Sequence, residues 1–449
     1  MKIVVPEPHV DLYEQGFGQD DPFSRAEVGK QLSELVERID DPVVIALDGS
    51  WGSGKSYFLK RWVGAHTLEN EGTATTVYFD SFAHDYLDDP LIAITAIIGE
   101  RVEAKTTSTI AMKKIKSAVV KIFPIVARVG LAAATAGTSE VVGAAASAGL
   151  SASGKEFEKA SEAFWKKEDG KREAMVEFTD ALIELTKPAN GQDEAQKLVI
   201  VIDEFDRCRP DYALSLLEVI KHFFAVPNVH FVLGVNLGEL QNSVKIRYGN
   251  GVNARLYLQK FITLSMQLPE RSKGWNGELN QLDYFVKTAK NMQLDESLVN
   301  EVNDYLGYVL PNEMLSFRGM QRLLTDIALV PQVPTKSGNL FPGYLSLISG
   351  LVVMKTAFPE TFRKALKNEI TMQDVRMCFR LDLKKDQDSN NNHEYIHFIW
   401  ASFVEPSTIS EKDRIRGRGQ FGNYGLDSPE RAFQRIINDY FGQVKLGNF

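Results

Sequence analysis

The segment Gly49 to Ser56, reading GSWGSGKS, constrains this chain more than any other. Its spacing is G-x-x-x-x-G-K-S. The residues before it, Asp41 to Leu47 (DPVVIAL), form a short β-branched run ending in Asp48 and read as a buried strand. The residues after it, YFLKRWVGAH, set Phe58, Leu59 and Trp62 at helical spacing. Strand, glycine loop and helix in that order are the context that confirms a phosphate-binding loop. Gly49, Gly52 and Gly54 give the backbone turns closed to other residues, so successive N–H groups can face phosphate oxygens. The following helix adds its positive end. On this reading Gly49, Ser50, Trp51, Gly52, Ser53, Gly54, Lys55, Ser56 and Tyr57 surround a nucleotide. Lys55 reaches the β- and γ-phosphates and Ser56 holds Mg²⁺. The competing reading is a glycine loop that only turns the chain.

A second acidic strand end is needed to orient Mg²⁺ through its water shell. Lys197 to Ile202 (KLVIVI) supplies one at Asp203, and Glu204 beside it is the candidate to polarise an attacking water. An ordinary strand end with a charged turn is the alternative. Asp206 and Arg207 fit either a structural ion pair or a subunit interface. Asn228 to Val235 (NVHFVLGV) is a third strand. Asn236 at its tip suits a sensor of the γ-phosphate or, alternatively, a helix N-cap. Thr75 to Phe79 (TTVYF) is a fourth strand, and the strands alternate with helical stretches. The expected fold class is α/β, a P-loop NTPase core with a mainly parallel sheet covered on both faces.

Together these residues resemble the KAP family of P-loop NTPases. The resemblance rests on IDEFDRCRPDYALSLLEVIKHFF (Ile202 to Phe224), HFVLGVN, YLQKFITLSMQLP (Tyr257 to Pro269), PFSRAEVGKQLSELV and SFRGMQRLLTDIAL (Ser316 to Leu329). It implies ATP hydrolysis and an insertion between the two phosphate motifs, often with two membrane-spanning helices. Lys55 and Asp203 are 148 positions apart, which leaves room for such an insertion. The chain departs from the family where Lys121, Pro124, Arg128 and Glu140 interrupt the apolar stretch, and where Asp80-Ser81-Phe82 replaces an Asn-x-Trp tripeptide. The match also implies that Arg318, four residues before Arg322 on one helix face, senses the γ-phosphate. Solvated surface arginines are the alternative. Arg207 and Arg255 are rival candidates for an arginine finger in an oligomer. KAP-like proteins include bacterial ones linked to phage exclusion, which extends the expectation to antiviral defence.

The stretch Ser117 to Gly154 is rich in Ala and Gly, and its longest uncharged run is Val141 to Gly154. A spanning helix wants about 20 mostly apolar residues. A soluble helical hairpin or mobile insert is therefore the first reading and a membrane-associating hairpin the second. Lysines plus arginines number 51 against 59 acidic residues, a net charge of −8, which excludes a general polyanion binder. DRIRGRGQFGNYG (Asp413 to Gly425) keeps open a local nucleic-acid contact, with a surface loop as the plainer alternative. Met1 to Asp21 holds an apolar run of only three residues, so no secretory signal is expected. Two cysteines, Cys208 and Cys378, point to a reducing cytosol. His393 and His397 have no further ligands in sequence for a zinc site.

Beyond Pro269 the 3.6-residue period marks helices over 280–290, 294–309, 319–330, 343–357 and 359–367. The expected organisation is a split core (1–100 and 171–270), a helical Ala/Gly-rich insert (101–170) and a C-terminal helical domain (271–449). The expected protein is a cytoplasmic ATPase, peripheral at most to the inner membrane face. It uses ATP and Mg²⁺ as a switch, with Lys55, Glu204, Asn236 and Arg318 catalytic and Ser56 and Asp203 at the metal. Its expected partner is a second copy or another protein. A nucleic-acid-remodelling ATPase, a nucleotide-gated scaffold with little turnover and a small-molecule kinase are the rivals; Glu204 beside Asp203 argues against the kinase.

Overall fold

The computed structural model describes residues 5, 9–18, 21, 23–86, 90–105, 168–188, 195–222, 226–268, 280–310, 315–330, 341–381, 392–413, 415, 420 and 429–442. The stretch 117–154, most of the polar loop 384–392 and most of the Arg/Gly segment 413–425 lie outside the described residues. The chain divides into two units. One contains His9–Asp21 and Arg25–Pro269, the other Met1–Pro8, Pro22–Ser24 and Glu270–Phe449.

The first unit is built on a five-stranded sheet: β1 (Val43–Asp48), β2 (Thr75–Asp80), β3 (Leu198–Asp203), β4 (Val229–Val235) and β5 (Leu264–Gln267). The spatial order is β2-β3-β4-β1-β5 and every pairing is parallel. Register aligns Asp80 with Asp203 and Asp48 with Val235, so the polar strand ends share one edge. Successive strand residues feed opposite faces. Val44, Ala46, Val77, Phe79, Ile200 and Ile202 join one buried cluster, while Val43, Ile45, Leu47, Val199, Val201 and Val232 join another. Both faces are covered by helices, which is why β1, β3 and β4 read as near-continuous apolar runs rather than alternating ones, with the buried His230 the exception in β4.

One face carries α1 (Ala26–Arg38) and α2 (Lys55–Leu68), and the other carries α3 (Pro90–Lys105), α4 (Glu168–Leu185), α5 (Pro210–His222), α6 (Leu237–Tyr248) and α7 (Ala254–Leu258). The sequence reading does not include β5. In that strand only Met266 is half-buried and its neighbours are exposed, so no apolar pattern announces it.

The second unit is helical: α8 (Asn280–Met292), α9 (Glu296–Val309), α10 (Phe317–Leu329), α11 (Pro342–Ala357), α12 (Pro359–Leu366), α13 (Met372–Phe379), α14 (Asn392–Val404) and α15 (Pro429–Ile436). Helix α11 is buried nearly all round, as its apolar sequence requires. Its Gly350 makes room for the Trp400 ring, since a Cβ there would lie 2.7 Å from Trp400 Cζ2. Trp400 Nε1 donates to the Tyr305 hydroxyl at 3.0 Å, and that hydroxyl lies 3.0 Å from Ser346 Oγ. Two short N-terminal pieces belong to this unit because of what they touch. Val5 joins its core, and Phe23 stacks 3.9 Å from Phe317 and 5.6 Å from Tyr284. Among the described residues, no helix is long and apolar enough to cross a membrane.

A buried polar knot fastens α1 to α2. Ser33 Oγ accepts from Trp62 Nε1 (3.0 Å) and Asn70 Nδ2 (3.1 Å), so its own proton goes to His66 Nδ1 at 2.9 Å. His66 then carries its proton on Nε2, 3.0 Å from Glu37 Oε1. Burial alone would raise the Glu37 carboxyl, but hydrogen bonds from His66, Ala74 and Thr73 outweigh it and hold the group down at about 2. A carboxyl depressed on folding stabilises above its unfolded value of about 4.3. That contribution is lost as pH falls through the folded value. Glu37→Gln should therefore destabilise the protein at about pH 7, with a smaller gap from wild type at about pH 3, as measured by urea unfolding. Equal gaps at the two pH values would contradict this account of the knot.

Candidate nucleotide-binding site

The loop after β1 is shaped by two left-handed glycines, Gly52 (φ +80°) and Gly54 (φ +86°), the second immediately before α2. Gly49 is restricted by space instead: a Cβ there would lie 2.9 Å from Ser53 Oγ. Lys55, the first residue of α2, folds back so that Nζ donates to the carbonyls of Gly49 (2.6 Å) and Ser50 (3.1 Å). Burial lowers its pKa, opposed by the nearby carboxylates of Asp206, Asp203 and Asp48. A lysine held over a ring of loop carbonyls is a preorganised cation for phosphate. Ser53 Oγ is buried and has no hydrogen-bond partner among the described residues. An orphaned hydroxyl inside a glycine cradle that a single Cβ would crowd fits a phosphate-binding loop.

Asp203 ends the interior strand β3, between β2 and β4, and is fully buried. Its Oδ2 accepts the Tyr78 hydroxyl at 2.7 Å and its Oδ1 accepts the Glu204 N–H at 2.8 Å. Burial raises its pKa; the Tyr78 and Glu204 hydrogen bonds work against that rise. The same buried setting, together with the Asp203 charge, raises the Tyr78 phenol. Since both Asp203 oxygens already accept hydrogen bonds, the carboxylate suits a cation held through water better than one bound directly. Ser56 Oγ, with Asp203 behind it, could hold Mg²⁺ in that way.

Glu204 adopts a left-handed backbone (φ +55°, ψ 28°), uncommon for a residue with a side chain. Its Oε1 accepts Ser56 Oγ at 3.3 Å and pairs with Arg207 Nη1 at 2.8 Å. Burial raises its pKa, partly offset by Arg207. The structure thus brings Lys55, Ser56, Asp203 and Glu204 together.

Asn236 caps α6, its side-chain oxygen accepting from Gly238 N (3.0 Å) and Glu239 N (3.3 Å). Its amide nitrogen has no partner among the described residues. Asp48 Oδ1 accepts Leu237 N at 2.9 Å and ties the same corner to β1. Arg318 and Arg322 are exposed on α10, in the helical unit. Arg255 is exposed on α7. Cys208 is buried, its Sγ 3.3 Å from Ser81 Oγ, and burial pushes its thiol up to about 12, so it packs rather than reacts. Among the described residues, no cluster of three His, Cys, Asp or Glu side chains is placed to hold a metal.

Four features escaped the reading of the sequence. Tyr78 reaches Asp203 from the next strand. Arg207 pairs with Glu204 rather than with Asp206, whose Oδ2 instead accepts the Trp51 indole N–H from the loop. Gly234, inside β4, makes room for Asp203: a Cβ there would lie 2.5 Å from Asp203 Oδ1 and 2.6 Å from Leu59 Cδ1. A lone glycine in an otherwise apolar strand does signal such a close approach.

The KAP family P-loop domain matches residues 25–333 of the chain. That span exceeds half of the 449 residues, and the chain belongs to the KAP family. No curated protein matches it. Among solved structures, it is similar to the Aeropyrum pernix ORC2 protein in its ADPNP–ADP complexes. That match has 12% identity over 97% of each chain and a TM-score of 0.38. The ADP form of the same protein matches at 11% identity over 96% of this chain and 97% of that one, with a TM-score of 0.34.

The close fit around Asp203 makes a direct prediction. Gly234→Ala forces either the carboxylate or Leu59 to move, at a cost of about 1–3 kcal/mol by comparison with other overpacked cores. Thermal unfolding of the variant should show a midpoint several degrees lower, and an unchanged midpoint would contradict the packing described.

Proposed function

We propose that this KAP-family chain binds ATP with Mg²⁺ and hydrolyses it slowly, using the cycle as a conformational switch. The observation that carries the reading is the convergence of Ser56, Asp203 and Glu204 beside a lysine already folded over its glycine loop. The fit of these residues to a P-loop nucleotide site supports the assignment of roles. Lys55 and the loop N–H groups would hold the phosphates, and Ser56 and Asp203 would hold the cation. Mg²⁺, when bound, supplies charge neutralisation at the phosphates. Glu204 is the group able to accept a hydrogen bond from water and orient it for attack.

Asn236 and Arg318 are proposed as the sensing residues. Asn236 retains its amide N–H₂ as a donor while its oxygen serves the cap. The 12-residue helix that it caps is a rigid element through which a change at the strand tip can be passed on. We propose Arg318 for the corresponding role in the helical unit, on the strength of its place in the family motif.

Substitution separates binding from turnover. Lys55→Ala should weaken ATP binding by about tenfold or more, followed with a fluorescent ATP analogue. Glu204→Gln should keep binding near wild type while phosphate release falls about 100-fold or more. Equal ATP affinity in wild type and Lys55→Ala would contradict the site. Wild-type turnover in Glu204→Gln would contradict the role of the glutamate. If Glu204→Gln abolishes hydrolysis yet cellular function survives, nucleotide binding alone drives the switch.

A further inference from the structure

A hydroxyl donor and a guanidinium charge reach Glu204 at the same atom. Ser56 Oγ lies 3.3 Å from Oε1 and Arg207 Nη1 lies 2.8 Å from that oxygen. The other oxygen, Oε2, accepts no hydrogen bond among the described residues. We propose that Arg207 is a positioning residue for Glu204. With Ser56 it anchors Oε1 and thereby presents Oε2 as the acceptor for the attacking water. The inference rests on the hydrolysis reading above and adds a residue to it.

The local chain explains how Arg207 is delivered. Residues Phe205–Arg207 form one tight helical turn, closed by Arg207 N donating to Glu204 O at 3.0 Å. Phe205 is fully buried at the base of that turn, and Asp206 is tied to the glycine loop by the Trp51 indole. The turn is therefore held from below by packing and from one side by the loop that would carry the phosphates. Arg207 is the remaining polar side chain of the turn, and at three residues' separation it faces back onto Glu204.

Partial burial distinguishes this pair from an ordinary surface bridge. The Glu204 side chain is 17% exposed and that of Arg207 33%, so solvent screens them less than a free pair. A carboxylate anchored through one oxygen has lost the torsional freedom that would otherwise scatter the second oxygen over several positions. Misplacing a reacting group by about 1 Å can cost about 100-fold in rate. An arginine also supplies several N–H groups in a fixed fork, whereas lysine offers a single flexible point.

The test is a double-mutant cycle on the full chain with two readouts. Arg207→Ala should lower kcat by about tenfold or more. Affinity for a fluorescent ATP analogue in Mg²⁺ should stay within about twofold of wild type, and the melting temperature should be nearly unchanged. Arg207→Lys should recover part of the turnover. In a Glu204→Gln background, Arg207→Ala should cost little more, because the group that it positions is already lost. Wild-type turnover in Arg207→Ala overturns the proposal. So does an equal further loss in the Glu204→Gln background, or a loss of nucleotide affinity in place of turnover. If Glu204→Gln itself keeps wild-type turnover, the hydrolysis reading fails; if only the Arg207 variants behave like wild type, this inference alone fails.

Discussion

A carboxylate buried in the middle of a parallel sheet is the constraint around which the core of this protein is arranged. Asp203 sits at the end of β3 with strands on both sides and no exposure to water. An unpaired charge there would be costly. It is satisfied by the Tyr78 hydroxyl from β2 and by the backbone N–H of the next residue, and Gly234 in β4 clears the space beside it. The chain then turns through a left-handed conformation at Glu204. That bend sets the direction of the glutamate and begins the turn that carries Asp206 and Arg207. One buried group thus draws on its own strand end and on both neighbouring strands.

The loop and the acidic turn are also tied to each other directly. Ser56 reaches Glu204, and Trp51 reaches Asp206. A shift in the loop is therefore felt at the turn, and a shift in the turn at the loop. On the switch reading proposed above, this is the contact through which binding at one element would move another. The match to the KAP family P-loop domain runs from the start of α1 through the sheet and into the first helices of the helical unit.

Much of this was legible in the sequence, and the reasons are physical. The β-branched runs at 43–48, 198–203 and 229–235 become interior strands covered on both faces, so they are apolar up to the strand tip apart from the buried His230. The glycine loop is legible because its backbone demands specific residues at specific spacings. By contrast β5 lies at an exposed edge, where burial imposes no pattern. Tyr78 and Asp203 are 125 positions apart, and only strand order brings them together. The Arg207–Glu204 pair was within reach of the sequence, at a separation of three. What the sequence could not show is that Asp206, the nearer candidate partner for Arg207, is taken by Trp51.

The central claim is that the glycine loop, Lys55, Ser56 and Asp203 form one site for a nucleotide and its cation. Isothermal titration calorimetry of the intact chain with ATP, in excess Mg²⁺ and again in excess EDTA, tests it most directly. The account predicts one nucleotide per chain, bound more tightly when Mg²⁺ is present. No heat of binding, or an affinity that is the same with and without Mg²⁺, would contradict it.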